Sequence, residues 1–299
     1  MKTIDSNKSH KKIIWLLAMC TCLILVCEIA LRVIGIIDFP VYHTNSVIGY
    51  IPAPNQSGAF LRKNRWEVNS KSMGTGLWRP NEAKDILLLG DSLVWGGNPL
   101  DQPAKLGPQL QEKLPEWRIW PASAGSWSIL NEIAYLNLNP DVVQDIETIV
   151  WILNTGDFGK ERSLWSSDLT HPREKPLSAI WYVANKYIFS RINGSSANRT
   201  DTSDSIADST LSSLSKKVAE LNDKKILFIL YPSKSQLKVE NDLYIHVKEA
   251  LEETVQSCCA ILDLSSKKDW NSNIYRDSIH PSAEGNKILA SIIATKLSE

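Results

Sequence analysis

Two short stretches of the 299-residue sequence carry side chains of the types needed for nucleophilic chemistry. Ser92 stands in Gly90-Asp91-Ser92, directly after an apolar run, where a strand-to-helix turn would expose its hydroxyl. Asp277 precedes His280 by three residues, so its carboxylate can reach a ring nitrogen of that histidine. A serine, an imidazole that takes its proton and a carboxylate that orients the imidazole form a nucleophile triad. The residue types therefore predict Ser92 as nucleophile, His280 as base and Asp277 as the orienting group.

The choice of His280 as the base also follows from elimination among the five histidines. His10 lies in a stretch predicted to face the cytoplasm, His43 precedes the predicted domain, and His246 falls in a charged helix. His280 stands directly before a proline, which suits the first position of a helix. His171, between a threonine and a proline in a Trp-rich loop, remains the competing candidate.

Two further predicted strand ends offer small residues and an amide. Residues 122–128 (Ala-Ser-Ala-Gly-Ser-Trp-Ser) include Gly125, and Asn154 opens the stretch 154–157 (Asn-Thr-Gly-Asp). Both stretches could direct N–H donors into one small volume beside the serine, although each taken alone is also ordinary turn chemistry. The sequence contains neither Gly-x-x-x-x-Gly-Lys nor Gly-x-Gly-x-x-Gly, so a phosphate-binding loop is not indicated.

Alternating apolar runs and helical stretches must position these residues. The apolar runs are residues 85–90, 118–122, 147–153, 225–231 and 260–264. The helical stretches are residues 103–114, 128–138, 176–192, 238–257 and 281–297. This alternation predicts an α/β fold, a three-layer α/β/α domain with a five-stranded parallel sheet, in which ligands bind beyond the carboxyl ends of the strands. Pro121 marks its run as an edge strand or a strand end.

Composition excludes several classes of protein. Hydrophobic residues make up 43% and charged residues 22%, as in ordinary folded proteins. Thirty-three basic residues balance thirty-three acidic ones, so the basic excess expected of a nucleic-acid-binding protein is absent. No Cys-x-x-Cys pair and no histidine pair at ligand spacing occurs, and we expect no metal. Cys258 and Cys259 are adjacent and form either two thiols or a strained ring.

The N-terminal part of the sequence predicts a membrane anchor. Residues 13–37 are apolar except for Glu28 and Arg32, and 25 residues are enough to cross a bilayer. The preceding residues 1–12 are rich in lysine, which places them in the cytoplasm and the later chain outside. We therefore expect a single-pass protein of the inner membrane with a periplasmic domain. A cleaved signal peptide and a lipoprotein signal are the alternatives.

Two polar segments flank or interrupt the predicted domain, which spans residues 85–299. Residues 38–84 are rich in Pro, Gly, Asn and Ser, and we expect an irregular segment that lies on the domain. Residues 193–213 contain almost no large apolar side chains, which predicts a mobile surface insertion or a lid over the substrate.

The candidate residues resemble the motifs of the SGNH (GDSL-type) hydrolases. The Gly-Asp-Ser sequence that ends at Ser92 matches the first of the four family blocks, and the Asp-x-x-His sequence from Asp277 to His280 matches the last. Gly125 fits the second block. The resemblance covers about residues 85–297 and implies a flavodoxin-like α/β/α fold with ester hydrolysis or acyl transfer, without a metal or an organic cofactor.

The third block departs from the family pattern. The family has Gly-x-Asn-Asp where this chain has Asn-Thr-Gly-Asp at 154–157. Gly156 then takes the position of the usual asparagine, unless Asn154 serves from two residues earlier. The resemblance implies an oxyanion hole made by the backbone N–H groups of Ser92 and Gly125 and an amide of the third block, for which we choose Asn154.

The membrane anchor adds an expectation about the substrate. It is similar to that of bacterial envelope members of the family that act on O-acyl groups of polysaccharides. The resemblance implies an acylated carbohydrate, in particular an O-acetylated one, or another ester as substrate. It leaves open whether water or a sugar hydroxyl accepts the acyl group. A non-catalytic carbohydrate-binding or assembly component of an envelope complex is the alternative.

Overall fold

The structure is a computed structural model of the chain. It describes residues 6–80, 84–159, 161–190, 206–237, 241–255 and 258–299. Of the polar stretch predicted at 193–213, residues 193–205 lie outside the described residues.

The described strands form two antiparallel hairpins and one five-stranded parallel sheet. In chain order the strands are β1 (Tyr42–Asn45), β2 (Gly49–Pro52), β3 (Gln56–Phe60), β4 (Asn64–Val68), β5 (Lys84–Gly90), β6 (Trp117–Ser123), β7 (Thr148–Asn154), β8 (Lys225–Tyr231) and β9 (Ala260–Asp263). The sheet has the order β6, β5, β7, β8, β9, which is that of the flavodoxin-like doubly wound fold. The predicted five-stranded parallel sheet is confirmed. Pro121 lies in β6, which is an edge strand as predicted.

Helices cover both faces of this sheet. In chain order the helices are α1 (Ser6–Ile34), α2 (Ser92–Trp95), α3 (Leu106–Lys113), α4 (Ile129–Leu138), α5 (Pro140–Asp145), α6 (Ala179–Val183), α7 (Asp208–Glu220), α8 (Asp242–Val255) and α9 (Ala283–Ser298). Helices α4, α7 and α8 share one buried apolar cluster, and α3 and α9 share the other. The three-layer α/β/α architecture is therefore confirmed, and it directs the carboxyl ends of the strands toward one edge.

The burial of the strands explains why their apolar runs are continuous. Every residue of β7, the middle strand, is buried, and six of the seven residues are buried in each of its neighbours β5 and β8. A parallel strand packed on both faces needs apolar side chains at every position, so an alternating pattern is not expected.

Residues 38–80 are more regular than the sequence analysis predicts. Hairpins β1–β2 and β3–β4 lie in this part of the chain. Tyr50 packs in the larger apolar cluster of the domain, and its backbone carbonyl accepts a 2.9 Å hydrogen bond from Trp127 Nε1. The expectation of an irregular segment was wrong because short strands of mixed polarity carry no clear pattern when both faces are partly covered.

The last six residues of the predicted insertion are helical. Residues 208–213 begin α7, whose Thr210 is buried and donates a 2.6 Å hydrogen bond from Oγ1 to the Gly159 carbonyl. Residues 208–213 thus belong to a packed helix, because serine and threonine can occupy the first turns of a helix that is anchored farther along by apolar residues such as Leu214.

The structure also refines the sequence-based expectations for the helix at 176–192 and for the two adjacent cysteines. The helix expected at 176–192 begins at Ala179, and its second half, Ala184–Phe189, has the wider turns of a π-helix. Cys258 and Cys259 are joined in a disulfide between neighbours, so the structure contains the ring rather than two thiols.

Helix α1 lies apart from the core of the domain. Its segment His10–Ile34 is long and apolar enough to cross a membrane and is not buried in the structure. Close to its end, Glu28 accepts hydrogen bonds from the start of α6, including 2.8 Å from the Ala179 N–H. Helix α1 and the domain therefore meet at α6.

Candidate active site

Ser92 is the first residue of α2, directly after β5. The Asp91 side chain caps this turn by accepting a 2.9 Å hydrogen bond from the Leu93 N–H. A Cβ atom at Gly90 would lie 2.8 Å from Val94 Cγ2 and 3.1 Å from the Ile152 carbonyl oxygen, so this close approach favours glycine. The sequence thus builds a short strand-to-helix turn that holds the serine at the carboxyl edge of the sheet.

His280 lies between Ser92 and Asp277. Its Nε2 is 2.9 Å from Ser92 Oγ, and its Nδ1 is 2.9 Å from Asp277 Oδ2 and 3.0 Å from Oδ1. The structure therefore brings together the three residues that the sequence analysis singled out, in the geometry of a nucleophile, a base and an orienting carboxylate.

The environment of Asp277 keeps its carboxylate charged. Partial burial opposes ionisation, but hydrogen bonds from the backbone N–H groups of His280 at 2.8 Å and Ile279 at 3.0 Å hold the pKa of Asp277 below its ordinary value. An ionised carboxylate on Nδ1 favours the tautomer of His280 whose Nε2 accepts a proton.

The loop that carries His280 is fixed from several sides. Tyr231 at the end of β8 donates a 2.7 Å hydrogen bond to the Ile279 carbonyl, and the Ser282 N–H donates one of 2.7 Å to the Ile274 carbonyl. Gly285, in the first turn of α9, packs against the same loop. The base is therefore held by backbone contacts rather than by its own side chain alone.

A cavity of about 240 Å³ opens in front of Ser92 and His280. Aromatic and basic side chains dominate its wall, together with residues of the segment that follows α1. The lining residues are Phe39, Pro40, Tyr42, Ser92, Trp95, Gly97, Asn98, Gly125, Thr170, His171, Pro172, Tyr182, Lys186, Arg276 and His280. Sequence reasoning missed the aromatic and basic part of this wall, because these residues come from distant parts of the chain.

Gly125 and His171 both reach this cavity. The Gly125 carbonyl accepts a 2.6 Å hydrogen bond from Tyr50 Oη, which fixes the loop after β6. His171 packs against the rings of Tyr42 and Tyr50, and burial lowers its pKa to about 4. His171 is therefore a neutral, buried side chain at neutral pH, and it is His280 that contacts Ser92.

Asn154 ends β7 but is directed away from the cavity. Its side chain is buried, and Nδ2 donates hydrogen bonds to Asp157 Oδ2 at 2.8 Å and Asp91 Oδ2 at 3.3 Å. Its Oδ1 accepts a 2.8 Å hydrogen bond from the Gly156 N–H. The amide nitrogen thus donates to two carboxyl groups. In this arrangement Asn154 does not provide the oxyanion donor that the sequence analysis expects of it.

These contacts belong to a buried acidic cluster of Asp91, Glu132 and Asp157. Burial raises the pKa of all three carboxyls, that of Glu132 to about 8. Glu132 accepts a 2.5 Å hydrogen bond from Trp151 Nε1. The sequence analysis missed this cluster, because Glu132 lies on a helix with no motif and only the fold brings it near the other two. Among the described residues, no group of His, Cys, Asp or Glu could hold a metal ion.

The buried glutamate gives a pH dependence of stability. Glu132 retains its proton in the folded state up to about pH 8, whereas its ordinary pKa is 4.5. The folded state therefore binds the proton more tightly, and the stability that this provides is lost as the pH rises from 4.5 to about 8. We expect the thermal unfolding midpoint of Glu132→Gln to fall less steeply with pH than that of the wild type. Equal slopes would contradict the assignment, and Glu112→Gln, at an exposed position, is the control.

No protein-family model and no curated protein matches the chain. Several solved structures resemble it at low identity. A member of the lipolytic protein G-D-S-L family from Veillonella parvula DSM 2008 is 12% identical, with 73% of this chain and 100% of that chain covered and a TM-score of 0.43. A carbohydrate esterase with divergent catalytic and non-catalytic binding functions is 13% identical, with 87% and 83% covered and a TM-score of 0.44.

A third structure is a family two carbohydrate esterase from Clostridium thermocellum in complex with cellohexaose. It is 10% identical, with 75% of this chain and 66% of that chain covered and a TM-score of 0.43. Similarities of this size assign no residue of this chain a role. The roles of individual residues therefore follow from the geometry of the site.

Proposed function

We propose that this chain is a serine-dependent ester hydrolase or O-acyltransferase of the SGNH type. The observation that carries the proposal is the continuous set of hydrogen-bond contacts from Ser92 through His280 to Asp277 at the wall of a cavity. This geometry suits acyl transfer, because the serine hydroxyl must lose its proton to a base as it attacks the carbonyl carbon.

In the proposed mechanism, Ser92 Oγ attacks the carbonyl carbon of an ester while His280 Nε2 takes the serine proton. Asp277 stabilises the imidazolium that forms. His280 then returns the proton to the departing alcohol, which leaves an acyl group on Ser92. Attack on the acyl-serine by water gives hydrolysis, and attack by a sugar hydroxyl gives transfer.

The negative charge on the carbonyl oxygen needs hydrogen-bond donors. We assign this role to the backbone N–H groups of Ser92 and Gly125, both residues of the cavity wall. The asparagine proposed from sequence, Asn154, contributes indirectly by holding Asp91, the residue that caps the turn of the nucleophile. It is a positioning residue in this assignment.

Replacement of Asn154 distinguishes the two roles. Asn154→Ala removes one donor from each of two buried carboxyls, while Asp91 keeps the Leu93 N–H and Asp157 keeps the backbone N–H of residue 154. We expect a loss of about 1–3 kcal/mol in the free energy of unfolding. We expect the loss in kcat to stay well below the roughly hundredfold effect of removing an oxyanion donor. Thermal unfolding and steady-state kinetics measure the two effects. A hundredfold fall in kcat with unchanged stability would restore Asn154 to the oxyanion hole.

The cavity favours a small acyl group on a carbohydrate. Its volume of about 240 Å³ suits a short acyl chain such as acetyl. Tyr42, Trp95 and Tyr182 line it, and aromatic faces pack well against the apolar faces of sugar rings. The substrate that we propose is an O-acetylated polysaccharide or another envelope glycan outside the cytoplasm.

The proposed location is the inner membrane, with α1 as a single span and the domain in the periplasm. Lysines before the span support this orientation. We expect a reporter enzyme that is active only outside the cytoplasm to be active when fused at Glu299. Activity of a cytoplasm-specific reporter at the same position would contradict it.

Turnover of p-nitrophenyl acetate by the detergent-solubilised full-length protein tests the activity, with Ser92→Ala as the control. We expect release of nitrophenol by the wild type alone. Transfer to a sugar acceptor is then read from the appearance of an acetylated saccharide. Glycan binding without turnover of any ester would instead favour the non-catalytic carbohydrate-binding component.

A further inference from the structure

A row of apolar side chains around α6 has no partner in the described part of the chain. Leu177 is 98% exposed and Trp181 is 63% exposed. Tyr187, Ile188 and Phe189, in the π-helical continuation of α6, are exposed as well. We call these five residues the α6 apolar face. The ring centroids of Trp181 and Phe189 are 5.9 Å apart, so exposed apolar side chains are grouped on this segment, and such a group marks an interaction site.

The start of α6 is hydrogen-bonded to α1, the helix that is long and apolar enough to cross a membrane. The Glu28 carboxylate accepts hydrogen bonds from Ser178 Oγ at 3.1 Å and from the N–H groups of Ala179 and Ile180 at 2.8 and 3.0 Å. Arg32 pairs with Glu28 at 2.7 Å and donates a 2.5 Å hydrogen bond to a backbone carbonyl directly before α6. The two charges of the anchor are thus satisfied by this contact.

The length of α1 places this contact at the boundary of a bilayer. The 25 residues His10–Ile34 extend about 37 Å, about 7 Å more than a hydrocarbon core of about 30 Å. At about 1.5 Å per residue, Arg32 lies about 3 Å and Glu28 about 9 Å before the end of this segment. With the excess length at this end, Arg32 lies in the headgroup region and Glu28 lies at its border with the hydrocarbon core. Helix α6 must lie at the same depth, since the residues at its start are hydrogen-bonded to Glu28 and Arg32.

We propose that the α6 apolar face lies in the interfacial region of the phospholipid bilayer, beside the end of α1. Continuity with the anchor selects a lipid surface as its partner, and Trp and Tyr are the residues enriched at this depth of a membrane. The inference rests on the proposed anchoring through α1.

The opposite side of the same helix faces the cavity. Tyr182 is buried against Phe39, with ring centroids 5.0 Å apart, and both line the cavity. Lys186, one turn farther along, also lines it and donates a 2.7 Å hydrogen bond to Tyr182 Oη. Contact of α6 with the bilayer therefore sets the cavity beside the headgroups, where it can receive esters carried at the membrane surface.

Photolabelling from the lipid phase tests the proposal. The full-length protein is reconstituted in phosphatidylcholine and phosphatidylglycerol vesicles that contain a phosphatidylcholine with a diazirine in its acyl chain. After illumination, mass spectrometry maps the lipid adducts. We expect several-fold more adducts on residues 177–189 than around Leu77, which is 70% exposed and serves as the matched apolar control. Trp181→Glu combined with Ile188→Glu is expected to reduce the adducts on 177–189 several-fold and to leave those on α1 unchanged.

The adducts on α1 separate failure of this proposal from failure of the anchor. Labelling of α1 with no more adducts on 177–189 than around Leu77 would overturn the proposal and keep the anchor. Absence of adducts from α1 would overturn both. The same vesicles are also treated with a bifunctional amine cross-linker. A cross-link between residues 177–189 of two copies, in place of lipid adducts, would overturn the proposal and show that a second copy of the chain covers the face.

Discussion

Ser92→Ala is expected to lower the turnover of p-nitrophenyl acetate at least about a thousandfold, because no other group of the site can form the acyl intermediate. His280→Ala is expected to cause a loss of the same order, since it removes the imidazole 2.9 Å from Ser92 Oγ and leaves this hydroxyl only a longer, 3.3 Å contact with the Asp91 carboxyl. Residues of a triad act as a unit, so the double variant should be little worse than either single variant. Steady-state kinetics of the three variants provide the measurement.

Two controls make this prediction specific. His246→Ala, at an exposed position on α8, should keep wild-type turnover. His171→Ala removes a buried ring that packs near Gly125, and its effect should be smaller than that of His280→Ala. The assignment fails if Ser92→Ala keeps near wild-type turnover. The choice of base fails if His171→Ala abolishes activity and His280→Ala does not.

Gly285→Ala is expected to reduce kcat about a hundredfold without touching a triad side chain, as expected for a displacement of about 1 Å at a catalytic group. A Cβ atom at Gly285 would lie 2.4 Å from the Ile274 carbonyl oxygen and 2.9 Å from Pro281 Cβ. Both contacts belong to the loop that carries His280, and a backbone oxygen cannot move aside alone. The loop must shift and lengthen the 2.9 Å contact between His280 and Ser92.

The control for this prediction is Gly159→Ala, since an added Cβ there meets nothing within 4 Å. Kinetics and thermal unfolding are measured on both variants, so that a fall in kcat can be separated from partial unfolding. A Gly285→Ala protein with wild-type kcat would show that the loop tolerates the displacement and that the position of His280 does not depend on this packing.

The sheet and the pair of Asp277 and His280 could be predicted because both depend on local sequence. Buried parallel strands require continuous apolar runs, and Asp277 and His280 are close enough along the chain to meet in any loop. The environment of Asn154 could not be predicted in this way. Whether its amide faces the cavity or the interior depends on the path of residues 154–157 and on Glu132 and Asp91, which only the tertiary fold brings near.

The residues that line the cavity could not be predicted from the sequence for a related reason. Phe39 and Tyr42 come from the segment after α1, and Tyr182 and Lys186 come from a helix that lies between Ser92 and the Asp277–His280 loop in sequence. In a sequence, aromatic side chains of this kind are interpreted as core residues until their neighbours in the fold are known.

The contact between Ser92 and His280 joins residues that are 188 positions apart. During synthesis at roughly 5–20 residues per second, about 10–40 s separate the appearance of the serine from that of its base. Throughout that interval the nascent chain has a hydroxyl with no group to activate it. In the proposed mechanism, Ser92 can therefore become reactive only after the C-terminal loop has been synthesised and has folded against it.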